Sequence, residues 1–149
     1  MDELPPKDSM FWMRNRLSTY TYWPFESTAP CNSESMAAAG FFATGGKDEP
    51  DSVECFMCNK PMDGWEESDN PWDEHVKHQK NCKYILLNKP DELTWTVEDL
   101  YNLAKEYYLK EFEFTMKKYV SNRIKEFDNL RDRIPSIVRN NFKNKKSNC

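Results

Sequence analysis

Three cysteines and two histidines of this 149-residue chain are grouped between residues 55 and 82, and their side chains are the usual ligands of transition metals. Cys55 and Cys58 form a Cys-x-x-Cys pair, which places two thiolates on one tight turn where both can bind the same ion. Cys82 offers a third thiolate, and His75 or His78 offers an imidazole. The pattern predicts one structural zinc ion held by three cysteines and one histidine.

The spacing leaves two ligand sets open. His75 and His78 are three residues apart and lie near one another on a helix. One set is therefore Cys55, Cys58, His75 and Cys82, and the other has His78 in place of His75. Either set closes a tetrahedral coordination shell, as in structural zinc sites, and leaves no open position for a substrate. We therefore do not expect an enzyme, since a zinc-dependent hydrolase needs an open position and a general base.

Composition and the N-terminal sequence bear on whether these cysteines form disulfides, free thiols or a redox pair instead. Aromatic residues make up 14% of the chain, which argues against disorder because aromatic side chains bury a large apolar area. The N-terminus lacks the basic start and apolar core of a signal peptide, so we expect a reducing compartment where disulfides are rare. Free buried thiols are the alternative interpretation. A redox pair is disfavoured because nothing resembles a thioredoxin-type βαβ unit.

The elements that must position the ligands are short, because seven of the nine prolines and all four glycines precede residue 90. Asn70 is typical of a helix N-cap and Pro71 of a first helical position. We expect helices over residues 11–17, 35–39 and 71–80, and strands over residues 41–43, 53–56 and in a run ending at Trp65. A metal ion is a natural supplement to the limited core of such a domain.

A long helix follows. Thr96 with Asp99 three residues later predicts a capping box, and the helical pattern continues to Ile134. Those 39 residues would span roughly 58 Å, too long to fold back inside a small domain, so we expect the helix to project. Its apolar residues follow the heptad spacing of a coiled coil and predict a face for partner helices: Met116, Val120, Phe127, Leu130 and Ile134. An upstream stripe over residues 100–112 is out of phase and is expected to pack on the first domain.

Charge follows the same division of the chain. Residues 1–90 carry 15 acidic and 9 basic residues, residues 91–114 carry 7 and 2, and residues 115–149 carry 3 and 10. The acidic front disfavours nucleic-acid binding by the zinc domain. We predict an N-terminal extension (1–9), a zinc domain (10–90), a long helix (91–138) and a basic, disordered tail (139–149).

Several motifs in fixed order resemble the baculovirus IAP repeat, or BIR, over residues 10–87. In chain order they are Arg16-Leu17-Ser18-Thr19-Tyr20-x-x-Trp23-Pro24, Met36-Ala37-x-Ala39-Gly40-Phe41, Asp51-x-Val53-x-Cys55-x-x-Cys58, Gly64-Trp65-Glu66 and Pro71-x-x-Glu74-His75-x6-Cys82. The resemblance implies an α+β fold: a zinc-binding BIR domain of short helices around a small three-stranded antiparallel sheet, followed by the long C-terminal helix. It also implies that His75 is the fourth zinc ligand.

The resemblance implies a peptide site as well. BIR domains of this kind bind a free N-terminus beginning with alanine in a groove beside the residue that matches Trp65. Asp63, Asp69 and Glu74 match the acidic positions that capture the ammonium group, and Met62 would supply an apolar floor. In survivin/deterin-like members, which have one BIR and a long helix, the ligand is an Ala-Arg-phosphothreonine histone tail. Lys60 and His78 match the positions that contact its phosphate.

The function implied is that of a non-catalytic adaptor of the chromosomal passenger complex. Its expected partners are the phosphorylated histone tail, borealin-like and inner-centromere-protein-like helices and, indirectly, Aurora B kinase. We expect it in the nucleus and cytoplasm, and in mitosis at chromosomes, centromeres and the spindle midzone. The alternative is an inhibitor of apoptosis that acts on caspases or binds Ala-led antagonist peptides. The sequence leaves homodimerisation open, because Asp8 stands where survivin-like proteins have a tryptophan that helps them pair.

Overall fold

The computed structural model describes residues 4–146, and side chains through residue 138. The chain divides into two compact units, the first ending at Lys110 and the second beginning at Glu111. No helix among the described residues is long and apolar enough to cross a membrane.

The first unit is α+β, as predicted. Its three strands form one antiparallel sheet in the order β1-β2-β3, with Phe41 opposite Cys55 and Glu54 opposite Pro61. The elements in chain order are α1 (Met13–Leu17), α2 (Ser33–Ala38), β1 (Phe41–Ala43), β2 (Val53–Cys55), β3 (Pro61–Met62), α3 (Pro71–His78), α4 (Lys83–Leu87), a 3-10 helix (Glu92–Thr94) and α5 (Val97–Lys146). Neither α4 nor the 3-10 helix was predicted from the sequence.

One side-chain cap, from Asn32, and one glycine set the boundaries of α2. The Asn32 side chain accepts a hydrogen bond from the Ser35 backbone N–H and begins the helix two residues before the predicted start. Gly40 follows the helix with φ +92°, where its lack of a side chain matters twice. A Cβ there would lie 2.8 Å from Cδ1 of Tyr84, and the left-handed backbone favours glycine.

The predicted cap of α3 is confirmed. The Asn70 Oδ1 atom accepts hydrogen bonds from the backbone N–H groups of Trp72 and Asp73, and Pro71 is the first helical residue. The helix ends at His78 rather than at residue 80, because Gln79 leaves the helical conformation with φ −151° and ψ 60°.

The core is aromatic, with a buried arginine at its centre. Phe11 and Phe56 pack edge to face at 5.7 Å, and Phe56 packs similarly on Tyr84. The Arg16 side chain is fully buried, and its guanidinium lies 4.5 Å from the Phe56 ring centroid and 3.3 Å from a carboxylate oxygen of Glu92. Burial lowers the pKa of Arg16, against the opposing effects of Tyr84 and Glu92.

The first unit extends beyond the predicted domain boundary at residue 90. Leu103 and Ala104 of α5 are buried in its core, and Leu100 and Tyr107 pack against that core. This places most of the upstream stripe where it was expected, although Phe112 is 64% exposed. The first unit ends at Lys110 because Trp95 and the start of α5 pack against the core of the short elements.

The capping box of α5 is confirmed, but its predicted end is wrong. The Thr96 Oγ1 atom accepts from the Asp99 N–H, and the Asp99 carboxylate accepts from the Thr96 N–H. The helix continues past Ile134 to Lys146 with Pro135 in its interior, although a proline there costs one helical hydrogen bond. Residues 139–146 of the predicted disordered tail are therefore helical, and residues 147–149 lie outside the described residues.

Candidate metal centre and peptide-binding surface

The ligand atoms of Cys55, Cys58, His75 and Cys82 all lie within 4.8 Å of one another. The Cys55 and Cys82 Sγ atoms are 3.9 Å apart, and the Cys58 Sγ atom is 3.6 Å from His75 Nε2. Tetrahedral zinc with Zn–S bonds of about 2.3 Å separates two sulfurs by about 3.8 Å, so the cluster fits such an ion. These four residues form a site that could hold one metal ion.

A tight turn presents the first two ligands. Cys55 is the last residue of β2, and its carbonyl oxygen accepts a hydrogen bond from the Asn59 N–H at 3.0 Å. Asn59 adopts a left-handed conformation with φ 54°, which asparagine tolerates better than most residues. The Met57 N–H lies 3.3 Å from the Cys55 Sγ atom and donates to it. The turn between β2 and β3 is thus shaped around Cys55.

The third ligand is fixed by the core. His75 is fully buried on α3, and its ring stacks 4.6 Å from Phe41 in a tilted arrangement. The His75 Nδ1 atom lies 2.8 Å from the Ala39 carbonyl oxygen, so it is the protonated nitrogen and Nε2 is left to bind a metal. Cys82, immediately before α4, completes the cluster.

The structure decides between the two histidines. The His75 imidazole is inside the cluster, whereas the side chain of His78 is 46% exposed and its Nε2 atom lies 3.3 Å from a carboxylate oxygen of Glu74. The two residues point differently because they are three positions apart, about 300° around the helix axis rather than a full turn. The ligand set containing His78 is therefore wrong.

The protein groups alone already favour anionic sulfur in the cluster. Hydrogen bonds from Cys55 and Cys58 lower the pKa of the Cys82 thiol well below its usual range, while burial raises that of Cys55. Burial by itself would lower the pKa of His75, but hydrogen bonds with Cys58 and Cys82 outweigh it and raise the pKa to about 9. A divalent cation would displace the remaining protons, as metal binding to such ligands requires.

Trp65 lies on the loop between β3 and α3, where the peptide groove was predicted. Its ring is 7% exposed and packs edge to face on Phe41 at 5.4 Å. The indole Nε1 atom is buried and has no hydrogen-bond partner among the described residues. The preceding Gly64 has φ +72°, and its N–H donates to the Asp51 carboxylate at 2.9 Å. This role of Asp51 was not predicted from the sequence, since an aspartate thirteen residues before a glycine carries no local signal.

The predicted acidic residues differ in how free their carboxylates are. Asp63 is exposed. The Asp69 carboxylate accepts a hydrogen bond from the Glu66 N–H at 2.8 Å, and it thereby closes the loop that carries Trp65. Glu74 forms an ion pair with Lys77 at 3.1 Å and contacts His78 at 3.3 Å. The structure thus joins two of the predicted peptide-site residues directly, the carboxylate of Glu74 and the imidazole of His78.

The remaining predicted peptide-site residues lie on the hairpin beside the metal-binding turn. Met62 is at the end of β3, half-buried against the core. Lys60 is half-buried, and its carbonyl oxygen accepts from the Cys55 N–H at 3.1 Å, so its position is tied to the first metal ligand. Lys60 and Cys55 thus share one backbone hydrogen bond.

In the second unit, every residue of the predicted partner-helix face is exposed. The exposed fractions of its five side chains, Met116 to Ile134, run from 42% to 69%. Other large apolar residues of the same helix are also exposed, and the sequence analysis did not assign them to that face: Phe114, Tyr119, Ile124 and Val138. Single exposed apolar residues are ordinary, whereas a run of this length is not.

The chain is similar to several known proteins. A family model described as "BIR: Inhibitor of Apoptosis domain" matches residues 16–86. "Baculoviral IAP repeat-containing protein 5" of Rattus norvegicus is 36% identical over 128 residues, which cover 86% of this chain and 87% of that protein. "Baculoviral IAP repeat-containing protein 5.2" of Xenopus tropicalis is 35% identical over 119 residues, covering 80% and 76%. A solved structure, "Crystal structure of DIAP1 BIR1 bound to a Grim peptide", is 28% identical with TM-score 0.42, covering 51% of this chain and 72% of that one.

The cluster of three cysteines and one histidine beside a small antiparallel sheet is compatible with the metal site of a BIR domain, and the chain belongs to the baculoviral IAP repeat family. Within that family, the chain matches proteins named "Baculoviral IAP repeat-containing protein 5", or survivin, over most of their length. The chain is a survivin-like BIR protein.

Proposed function

We propose that the metal is zinc and that its role is structural. The donor set of three sulfurs and one imidazole suits zinc, and the 3.9 Å sulfur separation matches tetrahedral bonding. Three of the four ligands are buried, and four protein ligands leave no open coordination position. Zinc would therefore stabilise the fold of the first unit rather than activate a substrate, and the protein is a non-catalytic adaptor.

The first unit binds a peptide N-terminus beginning with alanine, in the manner expected for a phosphorylated histone tail. The observation that carries this proposal is the exposed carboxylate of Asp63 on the loop of Trp65, whose buried indole N–H has no hydrogen-bond partner among the described residues. The ammonium group of a peptide N-terminus suits such a carboxylate. Lys60 adds an ammonium group and His78 an imidazole for the phosphate of an Ala-Arg-phosphothreonine sequence.

The second unit supplies the adaptor's other contact. Its exposed apolar face, from Met116 to Ile134, has the heptad spacing that packs against other helices. We assign it to borealin-like and inner-centromere-protein-like helices, through which Aurora B kinase is localised. The expected location is nuclear and cytoplasmic, with centromeres and the spindle midzone in mitosis.

The peptide proposal is tested by titrating the full chain with three synthetic peptides. The first is a peptide that begins with Ala-Arg-phosphothreonine, the second is the same peptide without phosphate, and the third is the phosphopeptide with an acetylated N-terminus. Acetylation removes the charged donor and should raise Kd by at least about tenfold. Phosphorylation should lower Kd, and Lys60→Ala should erase that difference, whereas the exposed-lysine control Lys47→Ala should preserve it.

Each alternative gives a different pattern of affinities. If acetylated and free peptides bind equally, ammonium capture is wrong. If the free peptide binds equally with and without phosphate, the histone-tail assignment fails and an Ala-led antagonist of apoptosis inhibitors becomes the better ligand class.

The helix assignment is tested separately. Val120→Glu combined with Phe127→Glu places two charges on the apolar face and should abolish co-purification with partner helices. Ser121→Glu with Asn129→Glu adds the same charge at exposed polar positions and serves as the control. Peptide binding should be unchanged in both. Loss of partner binding in the control as well would contradict the assignment of the face.

A further inference from the structure

A lysine of α5 is hydrogen-bonded to the metal-binding turn. The Lys110 Nζ atom lies 2.7 Å from the carbonyl oxygen of Phe56 and 3.2 Å from the side-chain oxygen of Asn59. Phe56 lies between the two cysteines of the turn, and Asn59 directly follows the second. The ammonium group therefore connects a helix with the segment that presents Cys55 and Cys58.

The helix end of this connection is itself well anchored. Lys110 is half-buried, and its Nζ atom lies 4.7 Å from the centroid of the Tyr107 ring. Tyr107 packs edge to face on the buried Phe11 at 5.5 Å, and Leu103 is buried one turn earlier. A cation placed over an aromatic ring on a packed helix has little freedom left to lose when it forms hydrogen bonds.

The turn benefits from such a clamp for two reasons. The left-handed backbone of Asn59 is an unfavourable conformation that a side-chain hydrogen bond can fix, and the Phe56 carbonyl gains a charged donor. In addition, three thiolates around a divalent cation leave a net charge of about −1 on the centre. An ammonium group attached to the same turn offsets that charge.

We propose that Lys110 is a positioning residue for the metal centre. It holds the turn from Cys55 to Asn59 in the conformation that brings the first two cysteines together. The start of α5 is thus part of the metal-binding module, although it lies far from the ligands in sequence. The expected change in zinc affinity rests on the zinc assignment proposed above. The hydrogen bonds of Lys110 to the turn do not depend on that assignment.

The test compares three variants of the full chain. Lys110→Met keeps a long apolar stem over Tyr107 and removes the ammonium group, Lys110→Arg keeps a cationic donor, and Lys105→Met removes an exposed lysine of the same helix. Hydrogen exchange by NMR follows the Asn59 amide in the turn and the Ala43 amide in β1. Chelator competition measures the apparent Kd for zinc.

Lys110→Met removes both hydrogen bonds from a charged donor to the turn. It should therefore accelerate exchange of the Asn59 amide and raise the zinc Kd, each by at least about tenfold. The Ala43 amide should be unchanged, Lys110→Arg should restore most of the loss, and Lys105→Met should behave as the unaltered protein. Equal acceleration at Asn59 and Ala43 would mean general destabilisation and overturn the proposal. So would unchanged exchange at Asn59. A chain that binds no zinc refutes the zinc assignment, while the exchange data still decide the clamp.

Discussion

Replacing Glu92 tests how firmly the segment after residue 90 belongs to the first unit. Its Oε1 atom lies 3.3 Å from the Arg16 guanidinium and accepts a hydrogen bond from the Met13 N–H at 2.6 Å. Met13 is the first residue of α1, and the N-cap residue Trp12 forms no side-chain cap. Glu92 therefore caps α1 from 79 residues away and pairs with a buried cation.

The cost of Glu92→Ala follows from these two contacts. Breaking a fully buried ion pair costs about 3–5 kcal/mol, but the Glu92 side chain is 22% exposed and Arg16 keeps the carbonyl oxygens of Met10, Phe11 and Ala37 as acceptors. We therefore take about 2 kcal/mol for the pair. The lost helix cap adds about 1 kcal/mol. The free energy of unfolding should fall by about 3 kcal/mol in total.

The measurement is urea unfolding of the metal-loaded full chain, followed by circular dichroism and by tryptophan fluorescence. Glu92→Gln keeps an oxygen acceptor without the charge and should lose less than Glu92→Ala. The control Glu49→Ala removes an exposed carboxylate and should change stability by less than about 0.5 kcal/mol. If Glu92→Ala lowers the free energy of unfolding by less than about 1 kcal/mol, the reasoning is refuted, because the ion pair and the cap would then contribute little to stability.

Three further outcomes are expected. Cys82→Ser should abolish metal binding and unfold the first unit, whereas His78→Asn should retain one bound ion. Atomic absorption after dialysis measures the metal content of both variants. A bound ion retained by Cys82→Ser would contradict the ligand set. Gly40→Ala should destabilise the chain by about 2 kcal/mol or more through its overlap with Tyr84 and its positive φ, whereas Gly46→Ala meets no neighbour and should be nearly neutral in thermal unfolding. Hydrogen bonds from Lys89, and next from Thr96, lower the pKa of Asp99 to about 2. The ionised carboxylate therefore stabilises the start of α5 fully above the ordinary carboxyl pKa of 3.8, and this stabilisation is lost as pH falls through about 2. An NMR titration of that carboxyl group should give the depressed pKa, and Asp99→Asn should remove the dependence.

Local rules were sufficient for the features that depend on neighbours in the chain. Asn70 with Pro71, and Thr96 with Asp99, predicted the starts of α3 and α5 because a cap bonds the backbone two or three residues away. The Cys-x-x-Cys pair predicted the metal-binding turn for the same reason, since both thiolates belong to one short loop. Heptad spacing identified the exposed face of α5 because a helix has a fixed period.

The remaining features depend on contacts between distant segments. Spacing could not choose between His75 and His78, because only the carbonyl of Ala39 and the ring of Phe41 show which imidazole points inward. Heptad and capping patterns could not place the end of the first unit at Lys110, since that depends on apolar surface covered across the fold.

The sequence by itself therefore determined the family, the metal-binding residue types, two helix starts and the apolar face of α5. Only the tertiary structure showed how His75 is held in the cluster, and it alone decided the extent of the first unit and the roles of Glu92 and Lys110. The physical reason is range: caps, turns and helical periods act over a few residues and are written in the chain. The hydrogen bonds of Glu92 to Met13 and of Lys110 to Phe56 join atoms 79 and 54 residues apart, and folding alone brings them together.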